Sequence, residues 1–135
     1  MAEKALKLEI VTPQRLAISQ EVAVVTVPGG EGEFGVLPGH TPFLTTVRPG
    51  RLIYEAGGKR EAMAIGWGYA EVGPSKVLIL TEMAKRPGEI DRDEVRREYE
   101  ELSQRLHGEI TPEEREALSR GLERIKAQLK VLESA

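Results

Sequence analysis

The sequence has no cysteine and no asparagine among its 135 residues. Without thiols there is no disulfide framework, no thiol nucleophile and no cysteine-based zinc site. The absence of asparagine beside abundant Glu and Arg leans toward the composition of heat-stable proteins. Positive charge is also short: 19 Lys and Arg stand against 22 Asp and Glu, a net charge of −3. A general nucleic-acid binder needs a strongly basic face, so that class is set aside. No apolar run is long enough to span a bilayer, and Met1-Ala2-Glu3-Lys4 lacks the apolar core of a signal peptide. The expectation is a cytosolic chain, or one held at a membrane surface through a protein partner without inserting itself.

Catalytic machinery is equally scarce. The two histidines, His40 and His107, have neither the carboxylate nor the histidine spacing of a metal site. Ser19, Ser75, Ser103, Ser119 and Ser134 lie in no nucleophile-elbow setting. Gly29-Gly30-Glu31-Gly32 runs into acid, where a phosphate-binding loop would end in Lys-Ser or Lys-Thr. No residue is assigned to catalysis or to a metal, and the chain reads as a non-enzyme.

What the sequence does contain is a run of glycine and proline from Val27 to Thr45 with Phe34, Val36, Leu37, Phe43 and Leu44 set among them. Flexible linkers are polar, and this segment is not. It reads as an ordered, tightly turned loop, with glycine where φ is positive and proline where φ is fixed. Two uses are open: a surface for a partner, or a structural corner between strands.

Around that loop the chain divides into two halves. From Leu6 to Thr81 the pattern is that of short strands. Leu6, Leu8 and Ile10 alternate with Lys7 and Glu9. Val22 to Val27 is nearly continuous and β-branched, a strand buried on both faces or central. Arg51–Glu55 and Glu61–Ile65 flank Gly57-Gly58, which suits a primed hairpin turn. Tyr69–Val72 and Val77–Thr81 are separated by Gly73-Pro74, and the small residues around Trp67 point to a close backbone approach. The fold class is all-β plus α: a β-sandwich or flattened barrel over residues 1–86, then helices.

Past Pro87-Gly88 the period becomes helical. Asp91 caps a helix with Glu94 closing a capping box, and Ile90 staples onto Val95. Val95, Tyr99, Leu102 and Leu106 form its stripe, and Gly108 is placed to end it in a left-handed conformation. Thr111, Pro112 and Glu114 start a second helix with the stripe Leu118, Leu122, Ile125, Leu129 and Leu132. The short connection makes an antiparallel helical hairpin over residues 88–135. Both stripes are narrow, so two states are open, a hairpin permanently docked on the sandwich and one that detaches.

The run Gly32-Glu33-Phe34-Gly35-Val36-Leu37-Pro38-Gly39-His40-Thr41-Pro42-Phe43-Leu44-Thr45, followed by Arg48-Pro49-Gly50, resembles the signature of the epsilon subunit of F-type ATP synthases. Ile10-Val11-Thr12-Pro13, Gly66-Trp67-Gly68-Tyr69-Ala70-Glu71-Val72 and the two helical segments extend the resemblance along essentially the whole chain. The resemblance implies a rotor subunit bound to the gamma subunit and the c-subunit ring, with the beta and alpha catalytic subunits as further partners, at the cytoplasmic face of a bacterial plasma membrane. It implies that Glu33, Phe34, Gly35, Leu37 and His40 meet the ring, although His40 alternatively only fixes the corner between Pro38-Gly39 and Pro42. It implies that the hairpin restrains ATP hydrolysis, with Arg115, Arg120, Arg124, Lys126 and Lys130 facing an acidic loop of the catalytic beta subunit. The bland reading of those cations is a charged surface laced with i,i+4 pairs.

Some members also hold ATP in the folded hairpin. The positions here would be Ile90, Asp91, Arg96 and Arg124, but Glu94 stands where the motif has arginine and Gln128 where a further arginine falls. An anion beside a polyphosphate is unfavourable, so no tightly bound nucleotide is expected. A nucleotide-sensing module and a stand-alone sandwich adaptor are the alternative functions. Chelation of purified protein should leave its circular dichroism and melting temperature unchanged; a loss of structure would refute the absence of a structural metal.

Overall fold

The computed structural model describes residues 5–134; Met1-Ala2-Glu3-Lys4 and Ala135 lie outside the described residues. Alternation builds β1 (Leu6–Val11), which buries Leu6, Leu8 and Ile10 and turns Lys7 outward. It is followed by β2 (Leu16–Val22), β3 (Val24–Gly29), β4 (Gly32–Val36) and β5 (Phe43–Val47). Next come β6 (Gly50–Ala56), β7 (Lys59–Ile65), β8 (Gly68–Val72), β9 (Lys76–Thr81) and the short β10 (Ala84–Lys85). A 3-10 turn at Pro87–Glu89 leads to α1 (Arg92–Leu106) and α2 (Pro112–Ser134).

The strands form one sheet in the order β10-β7-β6-β3-β5-β8-β9-β1-β2, with β4 paired only to β3. The β1–β9 pairing is parallel and the others are antiparallel. Between β3 and β5 the register is a single pair, Gly29 opposite Val47, and there the sheet bends back over itself. The two layers enclose Leu6, Leu8, Ile10, Val25, Val27, Leu52, Met63, Ile65, Val77 and Ile79. This is the expected sandwich.

Local signals placed several turns correctly. Gly57 and Gly58 both have positive φ, +58° and +78°, as the primed turn between β6 and β7 requires. Gly68 lies so close to β9 that an added Cβ would run into the Leu80 carbonyl oxygen. Asp91 caps α1 by accepting from the Glu94 N–H at 3.1 Å, and Thr111 does the same for α2 through Glu114. Ile90 and Val95 share one apolar cluster.

Other expectations need correction. The run Val22 to Val27 is two strands, interrupted at exposed Ala23, because the chain leaves β1 there and joins β4 and β6. The segment from Val27 to Thr45 is not a loop throughout. Val25 pairs with Val36 and Val27 with Phe34, so its first half is a hairpin that turns through Gly30-Glu31 and closes at Gly32, where φ is +129°. Gly108 does not adopt the left-handed conformation. Helix α1 closes instead on right-handed His107, whose N–H donates to Gln104 while its Nδ1 lies 2.7 Å from the Ser103 carbonyl oxygen.

The helical hairpin is docked on the sandwich. Ala62 and Ala64, on the outer face of β7, meet a cluster containing Ile90, Val95, Ile125 and Val131. The buried face of α2 is wider than a seam. Ala127, Gln128 and Val131 are buried, while Leu122, Leu129 and Leu132 are only half-buried. The reason is that α2 lies between two surfaces, α1 and the β6–β7 pair. Arg15 ties the linker down: its Nη2 donates to the Ala84 carbonyl at 3.0 Å and to Glu89 Oε2 at 3.0 Å. The Arg86 N–H donated to Glu89, reinforced by Arg15, holds the Glu89 carboxyl below the usual carboxylate range.

Two glycines test this packing in opposite directions. Gly68→Ala pushes a Cβ into backbone that cannot yield and should cost about 1–3 kcal/mol. Gly121→Ala meets Leu102 Cδ1 at 3.5 Å and Arg124 Nη2 at 3.6 Å, ordinary contacts. With the glycine's backbone entropy removed from a helix interior, it should gain about 0.5–1 kcal/mol. Denaturant unfolding of both variants measures the contrast.

Candidate functional site

Three regions stand out as candidate surfaces, two of them carrying the residues singled out in the sequence. The first is β4 and the connection to β5. Glu33 and Gly35 are exposed on β4, an edge strand, and the intervening Phe34 is half-buried against Phe43, with ring centres 5.1 Å apart and edge-on. Leu37, at the start of the connection, is 61% exposed. His40 has its ring centre 5.2 Å from that of Phe43 and its Nδ1 2.7 Å from the Thr41 carbonyl oxygen. Gly39, with φ of +90°, donates its N–H to the Pro74 carbonyl at 2.6 Å, so the connection is pinned to the turn between β8 and β9. The region is thus an ordered corner whose rings support one another, and Leu37 projects from it uncovered.

The second region was not anticipated. Across the outer face of the second layer, Leu16 pairs with Val11, Val11 with Leu80, and Leu80 with Tyr69. Residues opposite one another on neighbouring strands share a face, so these four form one row. Leu16, Leu80 and Tyr69 are 55%, 47% and 58% exposed. A parallel row joins Glu9, Leu78, Glu71 and Leu44, the last 71% exposed. Lys76 pairs with Glu9 at 2.6 Å beside it and holds the Glu9 carboxyl below its ordinary range. A contiguous apolar stretch of this kind, edged by charge, marks a surface that another molecule covers. One signal was available: Val77-Leu78-Ile79-Leu80 is apolar on both faces of its strand, and the core takes only Val77 and Ile79.

The third region is the hairpin. Its five candidate cations do not share a face. Arg115 is exposed near the interhelical turn and donates to the Leu106 carbonyl at 3.3 Å. Arg120 and Arg124 turn toward the sandwich, the first over the ring of Trp67 and the second onto Glu82. Lys126 and Lys130 are exposed on the side away from it. The four nucleotide candidates are likewise separated. A cavity of about 390 Å³ opens between the helices and the sandwich, and of the four only Arg124 lines it. Ile90 is buried in the docking cluster, Asp91 is occupied as a helix cap, and Arg96 is exposed on α1. The same cavity is walled by Glu82, Glu98 and Gln128, and Gln128 Oε1 is buried there without a donor. Two carboxylates and a bare acceptor facing one guanidinium already paired with Glu82 make a poor seat for a polyphosphate. Among the described residues no group of His, Asp and Glu is arranged to hold a metal ion, and no helix is long and apolar enough to cross a membrane.

Residues 5–87 match the family described as ATP synthase, Delta/Epsilon chain, beta-sandwich domain. The chain is 42% identical over 132 residues to the ATP synthase epsilon chain of Citrifermentans bemidjiense, covering 93% of this chain and 94% of that one. It is 48% identical over 104 residues to the epsilon chain of Nitratidesulfovibrio vulgaris, covering 77% and 78% of the two chains. In structure it is similar to a chain in the Euglena gracilis mitochondrial ATP synthase, from an assembly that includes the c-ring. That match has a TM-score of 0.82 at 27% identity and covers 95% of this chain and 81% of the other.

The cavity chemistry sets an expectation for nucleotide. Calorimetric titration with MgATP should show no tight binding, and Glu94→Arg should strengthen whatever is seen. Micromolar affinity of the unaltered protein would overturn the argument from the two carboxylates.

Proposed function

The chain belongs to the ATP synthase epsilon-chain family, and from that membership we propose a central-stalk rotor subunit without an active site of its own. It couples proton-driven rotation to ATP synthesis on other subunits and restrains ATP hydrolysis through its hairpin. It works at the cytoplasmic face of a bacterial plasma membrane, peripheral and held there by its partners.

The observation that carries this reading is the bare apolar row of Leu16, Val11, Leu80 and Tyr69. In a rotor subunit such a face has a natural occupant, the gamma subunit, which presents a long surface along the axis of rotation. The corner at the other end of β5 supplies the second contact. Exposed Leu37 with Glu33, Phe34, Gly35 and His40 forms the surface for the c-subunit ring, and the pinning of Gly39 to Pro74 keeps it stiff enough to transmit torque.

The braking role rests on α2. Its docking on β6 and β7 is one covering of the sandwich among those available, and the helix leaves it to reach the catalytic subunits. Arg115, Arg120, Arg124, Lys126 and Lys130 then meet an acidic loop of the beta subunit. No observation favours nucleotide sensing over this reading, because the cavity beside α2 sets Glu82, Glu98 and the unpaired Gln128 Oε1 against a single cation, Arg124.

Reconstituted synthase tests each part separately. Leu37→Asp should weaken assembly with the ring while leaving the free protein's melting curve intact. Truncation after Pro87 should raise ATP hydrolysis and spare assembly. Alanine at Arg115, Arg120 and Arg124 together should mimic the truncation in part, with an effect that fades at high salt. Hydrolysis unchanged by truncation in the assembled enzyme would remove the braking role.

A further inference from the structure

Helix α2 touches the rim of the sandwich through two arginines one helical turn apart. The Arg120 guanidinium carbon lies 4.3 Å from the centre of the Trp67 ring, within range of a cation–π contact. Arg124 Nη1 donates to Glu82 Oε1 at 3.3 Å. The receiving residues are themselves joined, since the Glu82 N–H donates to the Trp67 carbonyl at 3.1 Å.

This seat is built into the sandwich. Trp67 lies between β7 and β8, Glu82 between β9 and β10, and the buried Thr81 hydroxyl connects them. Its oxygen accepts from the Gly66 N–H at 3.0 Å and lies 3.2 Å from the Trp67 carbonyl oxygen. Gly66 leaves the room that the Glu82 side chain occupies, because a Cβ there would come within 2.8 Å of Glu82 Cγ. The spacing of Arg120 and Arg124 along the helix matches the two neighbouring partners, so both contacts are made at once with α2 in place.

We propose that Arg120 on Trp67 and Arg124 on Glu82 form a two-point latch that sets how readily α2 leaves the sandwich. The apolar cluster beneath α2 holds the helix without regard to charge. The latch adds a part that an acidic surface can compete for, because release frees both guanidinium groups at once. This last consequence rests on the braking role proposed above; the latch itself is a property of the free chain. Each contact, a half-exposed charge interaction, holds the docked helix by a factor of about two to five.

The test uses the isolated full-length protein, where failure of the braking role cannot intrude, since that role is read only in the assembled enzyme. Amide exchange in α2 reports undocking, and fluorescence of Trp67, the single tryptophan, reports the loss of Arg120 from its ring. Arg120→Gln and Arg124→Gln should each speed exchange of the α2 amides about two- to fivefold, leave β1 to β9 unchanged, and act more strongly together. Arg120→Gln should also alter Trp67 emission. Glu116→Gln, an exposed change on the same helix, should do neither. Glu82→Gln removes the pair from the sandwich side, and adding Arg124→Gln to it should cost little more. Additive effects of Glu82→Gln and Arg124→Gln, or unchanged exchange in both arginine variants, would overturn the latch.

Discussion

A two-layered sheet has two outer faces, and this chain carries one helical hairpin with which to cover them. That imbalance governs the rest of the molecule. The core between the layers takes one side chain in two from each strand, so each strand must present its other residues to something else. On β7 those residues are Ala62 and Ala64, small enough to let α2 and its cluster lie close. On β9 and β8 they are Leu78, Leu80 and Tyr69, too large and too apolar for a face meant for water. The first face meets its covering within the chain. The second waits for one from outside, as a member of a rotary assembly would.

The chemistry of the two coverings differs. Beneath α2 the contacts are apolar and nonspecific in charge, and their strength scales with area. At its rim they are directional and charged, with Arg120 and Arg124 on Trp67 and Glu82. A helix held by apolar area alone would exchange partners according to how much surface each offered. A helix also held through guanidinium groups discriminates by charge, because an acidic partner replaces what the sandwich withdraws.

The features legible in the sequence were those set by neighbours along the chain. The Gly57-Gly58 turn, the caps at Asp91 and Thr111 and the alternation of β1 each depend on a few consecutive residues. Features fixed by pairing at a distance were not legible. Strand β4 has two glycines in its five residues and no β-branched run, so only its partner β3 makes it a strand. Val131 and Ala127 were missed because the stripe of α2 was read for one facing helix, while the helix packs on two surfaces. Sequence spacing marked the cations of α2 but could not say that Arg120 and Arg124 turn inward while Lys126 and Lys130 turn out. The outer row from Leu16 to Tyr69 exists only in the register of β2, β1, β9 and β8.

The position of the uncovered features then connects with rotation. A rotor element must be rigid where it passes torque and loose where it switches. The corner from Leu37 to Pro42, proposed above as the ring contact, is stiffened by backbone pinning to Pro74 and by the edge-on and tilted rings of Phe34, Phe43 and His40. The proposed braking role asks the second property of the hairpin. Its helices are capped and internally complete, so they survive removal from the sheet better than a strand would, since a strand loses its backbone partners on leaving. The linker at Pro87–Glu89 stays anchored to the sandwich by Arg15 on Glu89 and on the Ala84 carbonyl. Under the braking role proposed above, motion is confined to the helices beyond Ile90, and the sandwich core keeps its own contacts.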